Sequence, residues 1–509
     1  MGYHPSMSRS FTKVLVANRG EIAVRIMRTL REMGIGSVAV YSEADRASLH
    51  VRMADEAVAI GPAPAAESYL RGDKIIAAAK KTGCDAIHPG YGFLSENADF
   101  VDECERAGLV FIGPPASAMR QMGSKTAARK KMEEAGVPIT PGAMCDTTEE
   151  AIAAAGKIGY PVMLKAASGG GGKGMRLVHA PGEMANAWER ARSEAKKFFS
   201  DDTVYIEKAV VGARHVEIQV LGDRSGNCVH VFERDCSIQR RNQKVVEETP
   251  SPGATREVIA KMGAIAVQGA KAVGYHSAGT FEFLLAPDSS FYFLEMNTRL
   301  QVEHPITELV SGLDLVREMV LIAQGSDLAF EQKDLTSRGA AIECRVYAED
   351  PSTGFLPSPG RIDQLVVPGG PGVRDDGGAY PGCMISSFYD PLISKLSVWA
   401  PNRELALARM RRALSEYVVT GIRTNLAFHE KLLANPDFIA GKYDTKFLER
   451  EVALQGYPTI REENREALAV AVAIAAARAE RVSGAATALE GASANRVSPW
   501  VAHYRSGRV

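Results

Sequence analysis

The sequence predicts a protein of mixed α/β and α+β class built from several domains, and three observations carry that expectation. Near the start, residues 11–17 read as a strand, 21–33 as an amphipathic helix and 36–41 as a second strand. That alternation produces a parallel sheet with crossover helices. Further on, two short β-leaning segments, Tyr160-Pro-Val-Met-Leu-Lys165 and Met175-Arg-Leu-Val-His179, flank a run of glycines. Finally, Thr280-Phe-Glu-Phe-Leu-Leu285 and Phe291-Tyr-Phe-Leu-Glu295 surround the turn-forming Pro287-Asp-Ser-Ser290, a hairpin pattern.

Taken in order, the first segment is Rossmann-like in pattern, yet its first turn, Val16-Ala-Asn-Arg-Gly-Glu-Ile22, lacks G-x-G-x-x-G. A dinucleotide site is therefore not expected there. After Phe111-Ile-Gly-Pro-Pro115 comes a helical linker holding Lys125. The glycine run Ser168-Gly-Gly-Gly-Gly-Lys-Gly174 looks like a phosphate loop, but the Walker spacing fails twice. Its first glycine would fall on Ala167, and Gly174 stands where a hydroxyl should follow the lysine. Strand, glycine tip and strand describe a flap. The hairpin region and a further α+β portion follow, and from 455 onward the composition shifts. Residues 462–481 are helix-prone, 483–495 are small and polar, and Trp500 and Tyr504 could form an apolar anchor.

Sixty basic and 61 acidic residues leave a formal charge of −1, which argues against nucleic acid or an anionic membrane as partner. Seven cysteines without C-x-x-C spacing argue against a disulfide framework or a zinc site and fit a reducing, cytoplasmic setting. Even the Ala/Val-rich stretch 467–477 is too short to span a bilayer.

The chemistry concentrates around the hairpin. A turn symmetric about Asp288-Ser289 places Glu282 opposite Glu295, and cross-strand carboxylates about 5 Å apart repel unless a cation such as magnesium lies between them. Two glutamates on a solvated face would give the same pattern, and a single bulge would separate them. In the next segment, Glu295, Asn297, Arg299, Gln301 and Glu303 alternate with mostly apolar residues. In an extended chain these five share one side, offering metal ligands, a guanidinium suited to a small oxyanion and a carboxylate able to act as base. The charge-dense 233–244 run, His215 and Arg345 read, each alone, as a solvated face, a satisfied histidine and a structural arginine.

Together these segments resemble the biotin carboxylase family of ATP-grasp enzymes over nearly all of 11–454. The resemblance rests on Ala17-Asn-Arg-Gly-Glu-Ile22, His88-Pro-Gly-Tyr-Gly-Phe-Leu-Ser-Glu-Asn97, the glycine flap, Arg214-His-Val-Glu-Ile-Gln219, the 233–244 run and the 295–304 segment. It implies a preATP-grasp domain at 7–122, an ATP-grasp domain at 123–337 with its lid at about 138–209, a biotin carboxylase C-terminal domain at 338–454, and a tail at 455–509 available for partner docking. It also implies a homodimer that uses ATP, magnesium (or manganese) and bicarbonate to carboxylate biotin on a separate carrier protein, in concert with a carboxyltransferase subunit.

Carried over residue by residue, Lys125, Lys165 and the flap glycines Gly170, Gly171 and Gly172 would hold ATP phosphates. Glu207, Lys208, Val210, His215, Gln239 and Leu284 would surround the nucleotide. Glu282, Glu295 and Asn297 would bind the metal, in agreement with the hairpin argument. Lys244, Arg299, Gln301 and the backbone of Val302 would hold bicarbonate, Glu303 would deprotonate it, Arg345 would stabilise a biotin enolate, and Tyr91 would shape the ureido pocket. Asn242 departs from the histidine some members carry, which removes a titratable group there. No Ala-Met-Lys-Met tetrapeptide of the biotin-accepting type occurs in the 509 residues. An acetyl-CoA or propionyl-CoA carboxylase is the expected context, with pyruvate carboxylase or another bicarbonate-activating ATP-grasp ligase as the alternative.

Overall fold

The apolar runs near the start form a parallel sheet. Strands β1 (Lys13–Val16), β2 (Gly36–Ser42), β3 (Glu56–Gly61), β4 (Ala86–His88) and β5 (Val110–Phe111) lie in the order β3-β2-β1-β4-β5, and every pair is parallel. Val14, Leu15 and Val16 of the central strand are fully buried, as expected where helices cover both faces. The crossover helix α1 (Gly20–Glu32) turns Ile22, Ile26, Met27 and Leu30 inward, one helical stripe against that sheet. A computed structural model describes residues 10–166, 175–199 and 202–451. The flap glycines Gly170, Gly171 and Gly172, and the tail with Trp500 and Tyr504, lie outside the described residues, as does the side chain of Lys125.

A second, antiparallel sheet joins β6 (Gly142–Cys145), β7 (Val162–Ala166), β8 (Arg176–Val178) and β9 (Val204–Lys208) in the order β6-β9-β7-β8. The segments on either side of the glycine run pair directly, Val162 with Val178 and Leu164 with Arg176. The strand-tip-strand expectation therefore holds on both described flanks.

The third sheet has eight strands. It contains β10 (Arg214–Gly222), β11 (Cys228–Arg240), β12 (Gln243–Thr249), β13 (Ser277–Leu285), β14 (Phe291–Asn297) and β15 (Ala340–Tyr347), with Leu392–Ala400 and Val373–Gly377 beyond, in the order β14-β13-β10-β11-β12-β15-(392–400)-(373–377). The ladder runs through position 337: Glu247 of β12 pairs with Glu343 of β15, so segments on both sides of that position share one sheet. One face carries Val216, Ile218, Phe281 and Phe283 against Ile259, Met262 and Ala266 of the helix Arg256–Ala272. Each buried phenylalanine contributes roughly 1.5–3 kcal/mol, so this face anchors the strands. Because side chains alternate, the opposite face must receive Glu217, Gln219, Thr280 and Glu282. All four are buried.

The β13–β14 hairpin reaches the expected pairing by an unexpected route. Leu285 pairs with Phe291, Leu284 with Tyr292 and Phe283 with Phe293, so the turn is offset by one residue from the predicted symmetry. A bulge at Leu294 then restores the register, and Glu282 faces Glu295 after all. Without that bulge, Glu282 would face Leu294. The predicted extended stretch 295–303 is corrected: β14 ends at Asn297, and the chain turns so that Glu303 takes the N-cap position of the helix His304–Ser311 without a side-chain capping bond, with Pro305 in its first turn.

Candidate active site

Gln239 and Lys244 face each other at the end of the β11–β12 hairpin, whose two-residue loop, Arg241-Asn242, has φ of 51° and 63°. Two successive left-handed residues match the type I′ turn that suits tight hairpins, and asparagine adopts this conformation readily. Asn242 thus serves the turn that presents Lys244. The Lys244 ammonium donates to Glu217 at 2.6 Å, Glu282 at 2.8 Å and Glu303 at 2.6 Å. Burial alone would depress its pKa, but the three carboxylates drive it well above the usual lysine range.

Arg345 closes the other side of Glu303. Its Nη2 lies 2.9 Å from Glu303, while Nε donates to Glu247 at 2.7 Å. Burial pushes the Glu303 carboxyl up, yet Lys244 and Arg345 together hold it well below its ordinary value. Behind this layer Arg234 is fully buried and donates to Glu217 at 2.5 Å and to Gln219 at 2.8 Å. The result is a buried network of alternating charge in which removing one member leaves several without a counter-charge.

Above it opens a cavity of about 450 Å³. Lys165, Glu207, His215, Gln239 and Leu284 are among its lining residues, as are Lys244, Glu282, Glu295, Asn297, Arg299, Gln301, Val302 and Arg345. Glu303 sits beneath the wall and is fully buried. Lys165 is ion-paired to Glu207, which also accepts from Thr140 Oγ1 at 3.1 Å. Gln239 lies 2.9 Å from His215 Nδ1, and His215 Nε2 lies 3.2 Å from Glu282. Burial lowers the His215 pKa, but Glu282 outweighs it and the net direction is upward.

Some predicted residues lie elsewhere. Lys208 follows Glu207 in β9 and so points the other way, its ammonium donating to the carbonyls of Gly159 at 2.8 Å and Tyr160 at 3.1 Å. Its side chain is committed to the lid, and Val210 likewise is not among the lining residues. Tyr91 stands outside the lining, its hydroxyl bonded to Glu21. It approaches the site through Lys395, whose Nζ lies 5.5 Å from the Tyr91 ring and donates to the Val302 carbonyl at 3.0 Å. Sequence reasoning missed Glu217, Arg234 and Glu247. Glu217 was findable, because it sits two residues from His215 in a strand and must share its face; Arg234 depends on the register of the β10–β11 hairpin, where it faces Glu217, and Glu247 on pairing between the distant strands β12 and β15.

The donor set fits a magnesium ion. Glu282 and Glu295 are opposed carboxylates, and Asn297 adds an amide oxygen, all hard donors. Glu282 is surrounded by groups that seek negative charge: besides Lys244 and His215, it accepts from Asn297 Nδ2 at 2.9 Å and Gln301 Nε2 at 3.3 Å. Burial would raise the Glu282 carboxyl, and Lys244 and His215 more than reverse that. Asn297 Oδ1 accepts from Arg299 Nη2 at 3.0 Å, so one short segment holds the amide oxygen of Asn297 and the Arg299 guanidinium together.

Three family models match the chain in succession: the biotin carboxylase N-terminal domain over 10–119, the carbamoyl-phosphate synthase L chain ATP-binding domain over 124–331, and the biotin carboxylase C-terminal domain over 343–450. Among relatives, biotin carboxylase 1 of Bacillus subtilis is 53% identical over 440 residues, covering 86% of this chain and 98% of that protein. A pyruvate carboxylase subunit of Methanothermobacter thermautotrophicus is 51% identical, covering 86% and 90%. Among solved structures, a biotin carboxylase complex from Campylobacter jejuni is 47% identical with a TM-score of 0.83, covering 87% of this chain and 99% of that one. The biotin carboxylase domain dimer of the Hydrogenobacter thermophilus 2-oxoglutarate carboxylase, determined with MgADP, ADP and bicarbonate, is 45% identical with a TM-score of 0.83, covering 89% and 100%. With three family models matched in succession and a carboxylate-lined cavity built from the second match and Arg345 of the third, the chain belongs to the biotin carboxylase family of ATP-grasp enzymes.

Proposed function

We propose that this chain carboxylates N1′ of biotin presented by a separate carrier protein, at the expense of ATP and with bicarbonate as the carbon source. The observation that carries the reading is Glu303, held between Lys244 and Arg345 at the base of a cavity whose walls supply two opposed carboxylates and Lys165. Lys165, with Lys125, holds the phosphates; its present partner Glu207 is exchanged for a phosphate oxygen on binding. Magnesium on Glu282, Glu295 and Asn297 would neutralise phosphate charge. Arg299, Gln301, Lys244 and the Val302 backbone hold bicarbonate.

The depressed pKa of Glu303 bears on the chemistry. A carboxylate clamped by two cations is a weak base. When bicarbonate takes a share of Lys244 and Arg345, Glu303 loses part of that stabilisation, its pKa rises, and it accepts the bicarbonate proton. The oxyanion then attacks the γ-phosphorus, ADP departs, and carboxyphosphate results. Its breakdown gives carbon dioxide and phosphate; the phosphate takes the N1′ proton, Arg345 stabilises the biotin enolate, and N1′ bonds to the carbon.

The acyl acceptor of the complete carboxylase would be acetyl-CoA or propionyl-CoA, with pyruvate as the second reading because a pyruvate carboxylase subunit is 51% identical. The partners would be a carrier protein, a carboxyltransferase and a second copy of this chain. A cytoplasmic setting is supported by seven cysteines, all free. Among the described residues no helix is long and apolar enough to cross a membrane. Transfer of labelled bicarbonate to free biotin, dependent on ATP and magnesium, tests the reading; absence of label on biotin while ATP is cleaved would overturn it.

A further inference from the structure

The motif His88-Pro-Gly-Tyr-Gly-Phe-Leu-Ser-Glu-Asn97 belongs to the first domain, yet one of its side chains reaches the cavity wall. Glu96 Oε2 accepts from Arg299 Nε at 3.0 Å. Glu96 Oε1 accepts from the backbone N–H of Thr298 at 3.1 Å and from its hydroxyl at 3.4 Å. One carboxylate thus fixes both the guanidinium and the backbone that carries it. The remaining Arg299 contacts are Nη1 to the Leu300 carbonyl at 3.2 Å and to Gln301 Oε1 at 2.9 Å, and Nη2 to Asn297 Oδ1 at 3.0 Å. Four of the five guanidinium N–H bonds therefore have protein partners among the described residues, and one on Nη2 is left for an anion.

We propose that Glu96 is a positioning residue for bicarbonate, acting through Arg299; this rests on the proposed function, in which Arg299 binds that anion. The fork geometry explains why a carboxylate is used. An arginine held at Nε cannot rotate about its terminal torsion without breaking that bond, so its free Nη edge keeps one direction. Glu96 has a side-chain exposure of 42%, and an ion pair so open to water adds little to stability. Its value lies in orientation. Because Thr298 and Arg299 follow immediately after Asn297, the contact also ties the first domain to the segment bearing the metal and anion ligands.

The test is a double-mutant cycle read as KM for bicarbonate, KM for ATP and kcat of bicarbonate-dependent ATP cleavage. Glu96→Ala should raise KM for bicarbonate on the order of tenfold, the loss expected for one charge-assisted hydrogen bond, with KM for ATP unchanged within twofold. Glu96→Gln, which keeps an acceptor oxygen, should fall between wild type and alanine. In the Arg299→Ala background, Glu96→Ala should add less than twofold. Multiplicative effects in the double variant, or equal rises in both KM values, would overturn the positioning role. If Arg299→Ala itself left KM for bicarbonate unchanged, the assignment of Arg299 to the anion would fail instead, and the positioning role with it.

Discussion

Lys244 donates to Glu303 at 2.6 Å although the two residues are 59 positions apart, one at the start of β12 and the other at the cap of a helix. That bond is the centre of the site. It joins the β-sheet floor, through Glu217 and Glu282, to the residue proposed to take the bicarbonate proton.

Lys244→Met should be destabilised by about 3–5 kcal/mol, the loss typical when one partner of a buried ion network is removed. Three carboxylates would then share no ammonium. Glu282 and Glu303 lie below their ordinary pKa in the folded protein, so their stabilisation is present above the ordinary carboxylate range and is lost as pH falls through the folded values. The difference in melting temperature between wild type and variant should therefore be widest at neutral pH and narrow below about pH 4. Melts showing a constant difference from pH 3 to 7 would refute the electrostatic account.

Glu295→Gln should fold normally and cleave ATP on the order of 10²-fold more slowly, because it weakens the proposed metal clamp on phosphoryl transfer. The magnesium concentration for half-maximal rate should also rise. Near-wild-type turnover at limiting magnesium would remove Glu295 from the metal site.

Glu343 offers a prediction of opposite sign. It is fully buried, faces Glu247 across the ladder and accepts from Ser397 Oγ at 2.7 Å. Burial and the Glu247 charge push its carboxyl up to about 8 from an ordinary 4.5. A raised pKa contributes stability that is complete below the ordinary value and is lost as pH rises through the folded one. Glu343→Gln, which mimics the protonated form, should gain on wild type between pH 5 and 8, by at most about 1.4 kcal/mol per pH unit. Calorimetry giving a pH-independent difference would contradict a protonated Glu343.

These sites differ in how far the sequence alone revealed them. The βαβ start and the flap strands follow from local periodicity, which needs no knowledge of distant partners. The Glu282–Glu295 pairing was legible, but the symmetric turn behind it was not the true one: the turn offset and the Leu294 bulge cancel. Side-chain alternation misled beyond Asn297, where the strand gives way to bends and turns that lead into the helix at His304, and it would have warned against Lys208, which must oppose Glu207. Glu247, Arg234 and the reach of Glu96 to Arg299 arise from contacts 98, 17 and 203 positions apart, set by sheet order and domain packing.

The central claim divides two chemical steps between neighbouring residues, Glu303 acting on bicarbonate and Arg345 on biotin. The most direct measurement follows bicarbonate-dependent ATP cleavage and carboxylation of biotin side by side in Glu303→Gln and Arg345→Ala, with Arg345→Lys as a charge-preserving control for folding. The account predicts that Glu303→Gln loses both activities, while Arg345→Ala loses carboxylation at least tenfold more than ATP cleavage, a difference of about 1.4 kcal/mol in transition-state stabilisation. Equal loss of the two activities in the arginine variant, or a Glu303→Gln enzyme that still cleaves ATP in response to bicarbonate, would contradict it.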